Sequence, residues 1–168
     1  MAPNLRLNAV AFISPQNHPI LIRTFMKQDE TAIKYHYIAH TSLDVIEERV
    51  LASSKSSECY LGLLYSMEDV AVYGYITPLK VKIVLAAALT DAVARDVDIN
   101  MASIKTLHMA YYSAISNPFL VLHDSSGAIH DTSRPLLAGS PKWKHLRRRV
   151  DEIARIVGNP SDTSTAAG

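Results

Sequence analysis

The stretch CYLGLLYSMEDVAVYGYITPLKVKIVLAA, residues 59–87, decides how this chain folds. It holds three runs rich in apolar, β-branched and aromatic residues, at 59–65, 70–77 and 81–87, parted only by Ser66-Met67-Glu68-Asp69 and by Pro78-Leu79. Links this short join antiparallel neighbours, because a parallel crossover takes about a dozen residues or more. A three-strand meander is the prediction.

Upstream, Leu5, Leu7, Ala9, Ala11 and Ile13 share one parity while Val10 and Phe12 fill the other, which predicts a central strand covered on both faces. The turn formers Ser14-Pro15-Gln16-Asn17-His18-Pro19 lead into an apolar run at 20–25, and the two runs make a hairpin. After a polar loop around 27–31, Ala39, Leu43, Ile46 and Val50 keep the spacing of one helical face, predicting a helix over 35–52 that Ser53-Ser54-Lys55-Ser56-Ser57 stops. Downstream, Ile104, Leu107, His108, Tyr111 and Ile115 form a second helical stripe, over 98–116, closed by Asn117-Pro118. Residues 120–141 read as a loop. Ser140 and Pro141 then suit the N-cap and first position of a third helix that runs to 157 and stops at Gly158-Asn159-Pro160.

The order ββαβββαα predicts an α+β fold: a five-stranded antiparallel sheet with one helix on one face and two on the other. It forms a single domain over 1–158, followed by a disordered Ser/Thr/Ala/Gly-rich tail at 159–168. A chain of 168 residues, 48% apolar and 20% charged, can bury about 70% of its unfolded surface and needs no staple. Cys59 is the single cysteine, so no disulfide forms within the chain.

The longest run free of polar side chains, 83–89, is far short of the roughly 20 residues a bilayer span requires. Arg6 and Asn8 interrupt the first apolar stretch, which therefore does not read as a secretory leader, and a cytoplasmic location is expected. The net charge of +1, from 17 basic and 16 acidic residues, argues against a general nucleic-acid binder. Lys142, Lys144, Arg147, Arg148 and Arg149 nevertheless crowd into one short segment, suited either to an anionic lipid or protein surface or simply to a solvated helix.

His36, His40 and Asp44 recur every four residues on the first helix, a spacing metal ligands can use. Position 37 is Tyr, so the glutamate base of a zinc peptidase is absent, and His40 with Asp44 can instead pair across one turn. His40, Ser42 and Asp44 are the residue types of a hydrolytic triad, but positions two apart on a helix point about 200° apart and Ser42 cannot meet His40. His108 and Tyr111 read as a partly buried pair, with Tyr112 exposed. There is no GxGxxG, GxxxxGK[ST] or CxxC in the chain. No catalytic residue, cofactor site or metal site is expected, and the chain reads as a non-enzyme.

Three segments together resemble one family. They are Lys34-Tyr35-His36-Tyr37-Ile38-Ala39-His40-Thr41-Ser42-Leu43-Asp44-Val45-Ile46-Glu47-Glu48; then Tyr60-Leu61-Gly62-Leu63-Leu64-Tyr65 with Glu68-Asp69 and Val72-Tyr73-Gly74-Tyr75-Ile76-Thr77; then Arg95-Asp96, Leu107-His108 and Asn117-Pro118-Phe119. The set resembles the subunit 2-like proteins of the trafficking protein particle (TRAPP) complex, relatives of sedlin, over about residues 9–119. The resemblance implies a longin fold and a small non-enzymatic subunit of an assembly that tethers vesicles and promotes nucleotide exchange on Rab GTPases. It places such a subunit at Golgi and ER–Golgi membranes, with other TRAPP subunits as direct partners and a Rab GTPase as an indirect one. It also implies that Asp44 contacts partner subunits. Asp44, Glu47, Glu48 and His40 are accordingly the expected partner interface. Residues 120–168 match the family poorly, so Lys142, Lys144, Arg147, Arg148 and Arg149 take no role from the resemblance; their charge alone makes them the candidate anionic-surface contact, and a peripheral membrane contact is a candidate partner. Other longin-type adaptors, a SNARE regulatory domain or a clathrin-adaptor small chain, share the architecture.

Overall fold

A computed structural model of the chain describes residues 6–25, 30–52, 59–88, 97–117 and 143–158. Its elements in chain order are β1 (Leu7–Ile13), β2 (Pro19–Thr24), α1 (Glu30–Ala52), β3 (Tyr60–Met67), β4 (Val70–Ile76), β5 (Lys82–Ala88), α2 (Val97–Ile115) and α3 (Lys144–Gly158). The five strands form one sheet in the order β2-β1-β5-β4-β3, and every pairing is antiparallel. The meander is present, and β1 is central as its two-sided apolar pattern requires.

Strand alternation sorts the core into two layers. Ala9, Ala11 and Ile13 join Val72, Val84 and Ala86 beneath Tyr35, Ile38, Ala39, Leu43 and Ile46 of α1. The alternate residues Val10, Phe12, Ile83, Leu85 and Ala87 face α2 and α3, where they meet Ile104, Leu107, Tyr111, Trp143, Leu146 and Val150. Because helices cover both faces, β1 is buried along its whole length and β4 and β5 along nearly all of theirs.

Three details depart from expectation. The pairing register shifts between Leu7 and Ala9, and this extra residue sends Leu7 to the α2–α3 side with Val10 and Phe12. α1 begins at Glu30, five residues before 35 and within the stretch expected as a loop around 27–31. Val50 is 41% exposed, so the buried stripe of α1 ends at Ile46. α3 runs over Lys144–Gly158; the N-cap and first position expected at Ser140 and Pro141, the loop at 120–141 and the tail at 159–168 lie outside the described residues.

Aromatic rings stitch the α2–α3 layer to the sheet. Phe12 of β1 stacks on Tyr111 of α2 at 5.5 Å between ring centres, and Tyr111 stacks on Trp143 at 6.2 Å. His108, half-buried on α2, has its Nδ1 3.5 Å from the Tyr75 hydroxyl. Burial pushes the His108 imidazole below its ordinary value, so the unfolded chain takes up a proton more readily than the folded one. The sign follows: this contribution is complete above the unfolded pKa of about 6.5 and is lost as pH falls through that value toward the lower folded one. In urea titrations between about pH 8 and pH 5, His108→Gln should flatten the acid-side decline in midpoint. An unchanged decline would mean that other groups carry it.

The outer strand β3 is irregular. Its register against β4 shifts at Tyr60/Gly62 and again at Leu63/Tyr65, with Gly62 in the left-handed region at φ 72°. Across the pair, Gly74 makes room for Leu64: a Cβ at position 74 would lie 2.9 Å from Leu64 Cδ1 and 3.1 Å from its Cγ. Leu64 is buried under α1 and has little freedom to move aside. Gly74→Ala should therefore destabilise by about 1–3 kcal/mol in chemical denaturation, and adding Leu64→Ala should relieve the clash part of that loss. Additive losses in the double variant would refute the close approach.

Candidate functional site

The inner face of α1 is fastened to β3 through Tyr65 and Arg49. Ser42 is fully buried, and its Oγ donates to the Ile38 carbonyl at 2.7 Å. The Tyr65 hydroxyl of β3 donates to the same carbonyl at 2.9 Å. Arg49 Nη1 donates to the Leu61 carbonyl at 2.6 Å, using backbone that the irregular β3 leaves accessible. At the other end, Lys34 pairs with Glu68 in the β3–β4 turn; that hydrogen bond raises the lysine and lowers the carboxyl from their ordinary values.

These contacts set the rotation of the helix, and the rotation sets what it shows. His40, Asp44 and Glu48, spaced by four, are all exposed and make no hydrogen bond or ion pair among the described residues. The pairing of His40 with Asp44 across one turn does not form; such an exposed pair gains little in water. Ser42 points into the core while His40 points out, so the triad residue types are not brought together. Among the described residues no group of three or more His, Cys, Asp or Glu side chains is placed to hold a metal ion.

Glu47 behaves differently from its neighbours. Its carboxylate accepts from Asn17 Nδ2 at 2.9 Å and lies 3.9 Å from Lys82 Nζ, which also donates to Asn17 Oδ1. Asn17 sits in the β1–β2 turn at φ 65°, and Lys82 is a largely buried cation on β5. The triad is a strut between hairpin, helix and sheet, and local spacing could not reveal it because its members lie 30 or more positions apart.

Beside the strut is a groove of about 350 Å³. Pro15, Ile46, Val50, Leu51 and Ile76 line it together with Glu47, Lys80 and Lys82. A mainly apolar lining with a few charged groups suits an apolar side chain of another polypeptide. Sequence reasoning missed it by assigning Val50 to the core; the signal was Leu51, off the buried stripe and 80% exposed.

The basic segment lies on the other side of the sheet, where α3 packs with α2. Lys144, Arg148 and Arg149 are exposed and Arg147 is half-buried, while Lys142 lies outside the described residues. Arg149 pairs with Glu152 at 2.8 Å, and Asp151 of the same helix binds Arg23 of β2 at 2.7 and 3.0 Å. The two surfaces named from sequence are thus opposite faces of one molecule.

A family model described as Sedlin matches residues 12–131. The chain belongs to the sedlin family. It is 41% identical over 114 residues to the trafficking protein particle complex subunit 2-like protein of Bos taurus, covering 66% of this chain and 80% of that one. The protein of the same name from Dictyostelium discoideum is 38% identical over 117 residues, 68% of this chain and 82% of its own length. The five-stranded sheet with its three helices is the longin-like arrangement that the sedlin resemblance implied. Every α1 residue named above falls inside the sedlin match, and α3 falls beyond it. No helix among the described residues is long and apolar enough to cross a membrane.

Proposed function

We propose that this sedlin-family chain is a non-enzymatic subunit of a TRAPP assembly that tethers vesicles and supports nucleotide exchange on a Rab GTPase. It works in the cytoplasm, at the periphery of Golgi and ER–Golgi membranes, and meets the Rab only through the assembled complex. The observation that carries this reading is the outer face of α1: three ionisable side chains, His40, Asp44 and Glu48, stand exposed without partners among the described residues, on a helix whose inner face is tied to β3. Fixed, unpaired groups beside an apolar groove are ready to pair with another chain and lose no internal bond in doing so. The names of the relatives in cattle and in Dictyostelium support further TRAPP subunits as that other chain.

Tagged full-length protein, expressed in the cells it comes from and recovered gently, is expected to bring down several TRAPP subunits in constant proportion. Recovery with SNAREs or clathrin-adaptor large chains, and no TRAPP subunit, would replace this reading with another longin-type adaptor. Recovery of the chain alone would reject it.

A further inference from the structure

The layer opposite α1 has a second exposed surface that the α1 interface does not use. Over 103–117 and 143–157, the α2–α3 layer carries Lys105, Lys144, Arg147, Arg148, Arg149 and Arg155 against two carboxylates, Asp151 and Glu152. Both carboxylates are already engaged, by Arg23 and Arg149. Lys144, Arg148 and Arg155 fall within about 40° of one another around α3 and point away from its buried side, Leu146, Val150 and Ile153. All three are exposed and form no ion pair among the described residues. The same layer also exposes large apolar groups. Met109 and Tyr112 of α2 are 64% and 54% exposed, next to Lys105 on one outer stripe, and Ile156 of α3 is half exposed.

We infer that this outer face of the α2–α3 layer seats on an anionic lipid bilayer. Charge complementarity chooses the sign of the partner, and the apolar groups choose its kind. The net charge of +1 argues against a nucleic acid, and exposed Met, Tyr and Ile add an apolar component that charge pairing alone does not use. A headgroup layer takes cations at its phosphates while aromatic and aliphatic side chains settle at the edge of the acyl region. The geometry also keeps α1 free, since a sheet separates the two helical layers and turns Asp44 away from the lipid. The inference does not rest on the TRAPP reading: the cations of α3 lie beyond the sedlin match, and only Lys105, Met109 and Tyr112 of the face fall within it.

The test is co-sedimentation of the full chain with vesicles of phosphatidylcholine alone, or with about a third phosphatidylserine, at roughly 0.1 M salt where surface charges are screened within about 10 Å. Binding should be at least about tenfold stronger to the anionic vesicles and should weaken as salt rises. The double charge reversal K144E/R148E should lower it by about a hundredfold, and R155E should lower it too. Met109→Ser with Tyr112→Ser should weaken binding while leaving its salt dependence intact. All of these sites are exposed, so thermal melts should match the parent. Equal binding to neutral vesicles, binding to neither, or anionic binding untouched by K144E/R148E in a folded variant would overturn the inference. Retention on a polyglutamate matrix without vesicle binding would also overturn it and assign the face to an acidic protein.

Discussion

Replacing Trp143 with Ala is expected to lower the unfolding free energy by about 3–5 kcal/mol, which for a chain of this length drops the melting temperature by roughly 10 °C. Trp143 is only 3% exposed, and it closes the ring stack that runs from Phe12 through Tyr111. Its removal leaves a cavity between α2 and the first turn of α3 and loses a stacked pair worth about 0.5–1.5 kcal/mol beyond area burial. Leu146, Val150 and Ile153 hold the rest of α3 in the core, and the Arg23–Asp151 ion pair, about 40% exposed on each side, adds under about 1 kcal/mol. Trp143→Phe should recover most of the loss. As the single tryptophan, Trp143 also reports on the docking of α3, so Leu146→Ala should shift its emission to the red as the helix loosens. A loss under about 1 kcal/mol for Trp143→Ala would show that α3 does not depend on this anchor.

Asp44→Ala should separate folding from assembly. The carboxylate has no partner among the described residues, so its loss should move stability by no more than about 0.5 kcal/mol. Against a partner that buries it in a charge pair, the same change should cost about 2–5 kcal/mol of binding, a drop of thirtyfold or more in TRAPP subunits retained at limiting bait. Glu47→Ala is the contrasting variant. It removes the bridge between Asn17 and the largely buried Lys82, so the isolated chain should lose about 1 kcal/mol. If Asp44→Ala instead melts early, Asp44 is structural; if it retains partners at the parent level, the interface lies elsewhere on the molecule.

The outcome at single residues shows what sequence reading could reach. Alternation along 59–87 and two helical stripes sufficed for five antiparallel strands and for the division of helices between faces, because a sheet covered on both sides leaves apolar residues at both parities. Leu7 escaped the rule, since a register shift moves it across the sheet without leaving a local trace. Val50 escaped it because a periodic stripe does not announce where the sheet beneath it ends. The exposure of Asp44 and Glu48 was legible from their place opposite Ile46. The engagement of Glu47 was not: it depends on Asn17 and Lys82, which only the folded chain brings near.

The crimped border strand has one more consequence. A flat, regular rim would invite a stray extended peptide to zip alongside it. Here two offsets and a glycine in an unusual twist spoil that template, while Arg49 already occupies the Leu61 carbonyl. A lone copy waiting to be recruited is thereby protected from sticking to its siblings through that border, and whatever joins it there must recognise side chains.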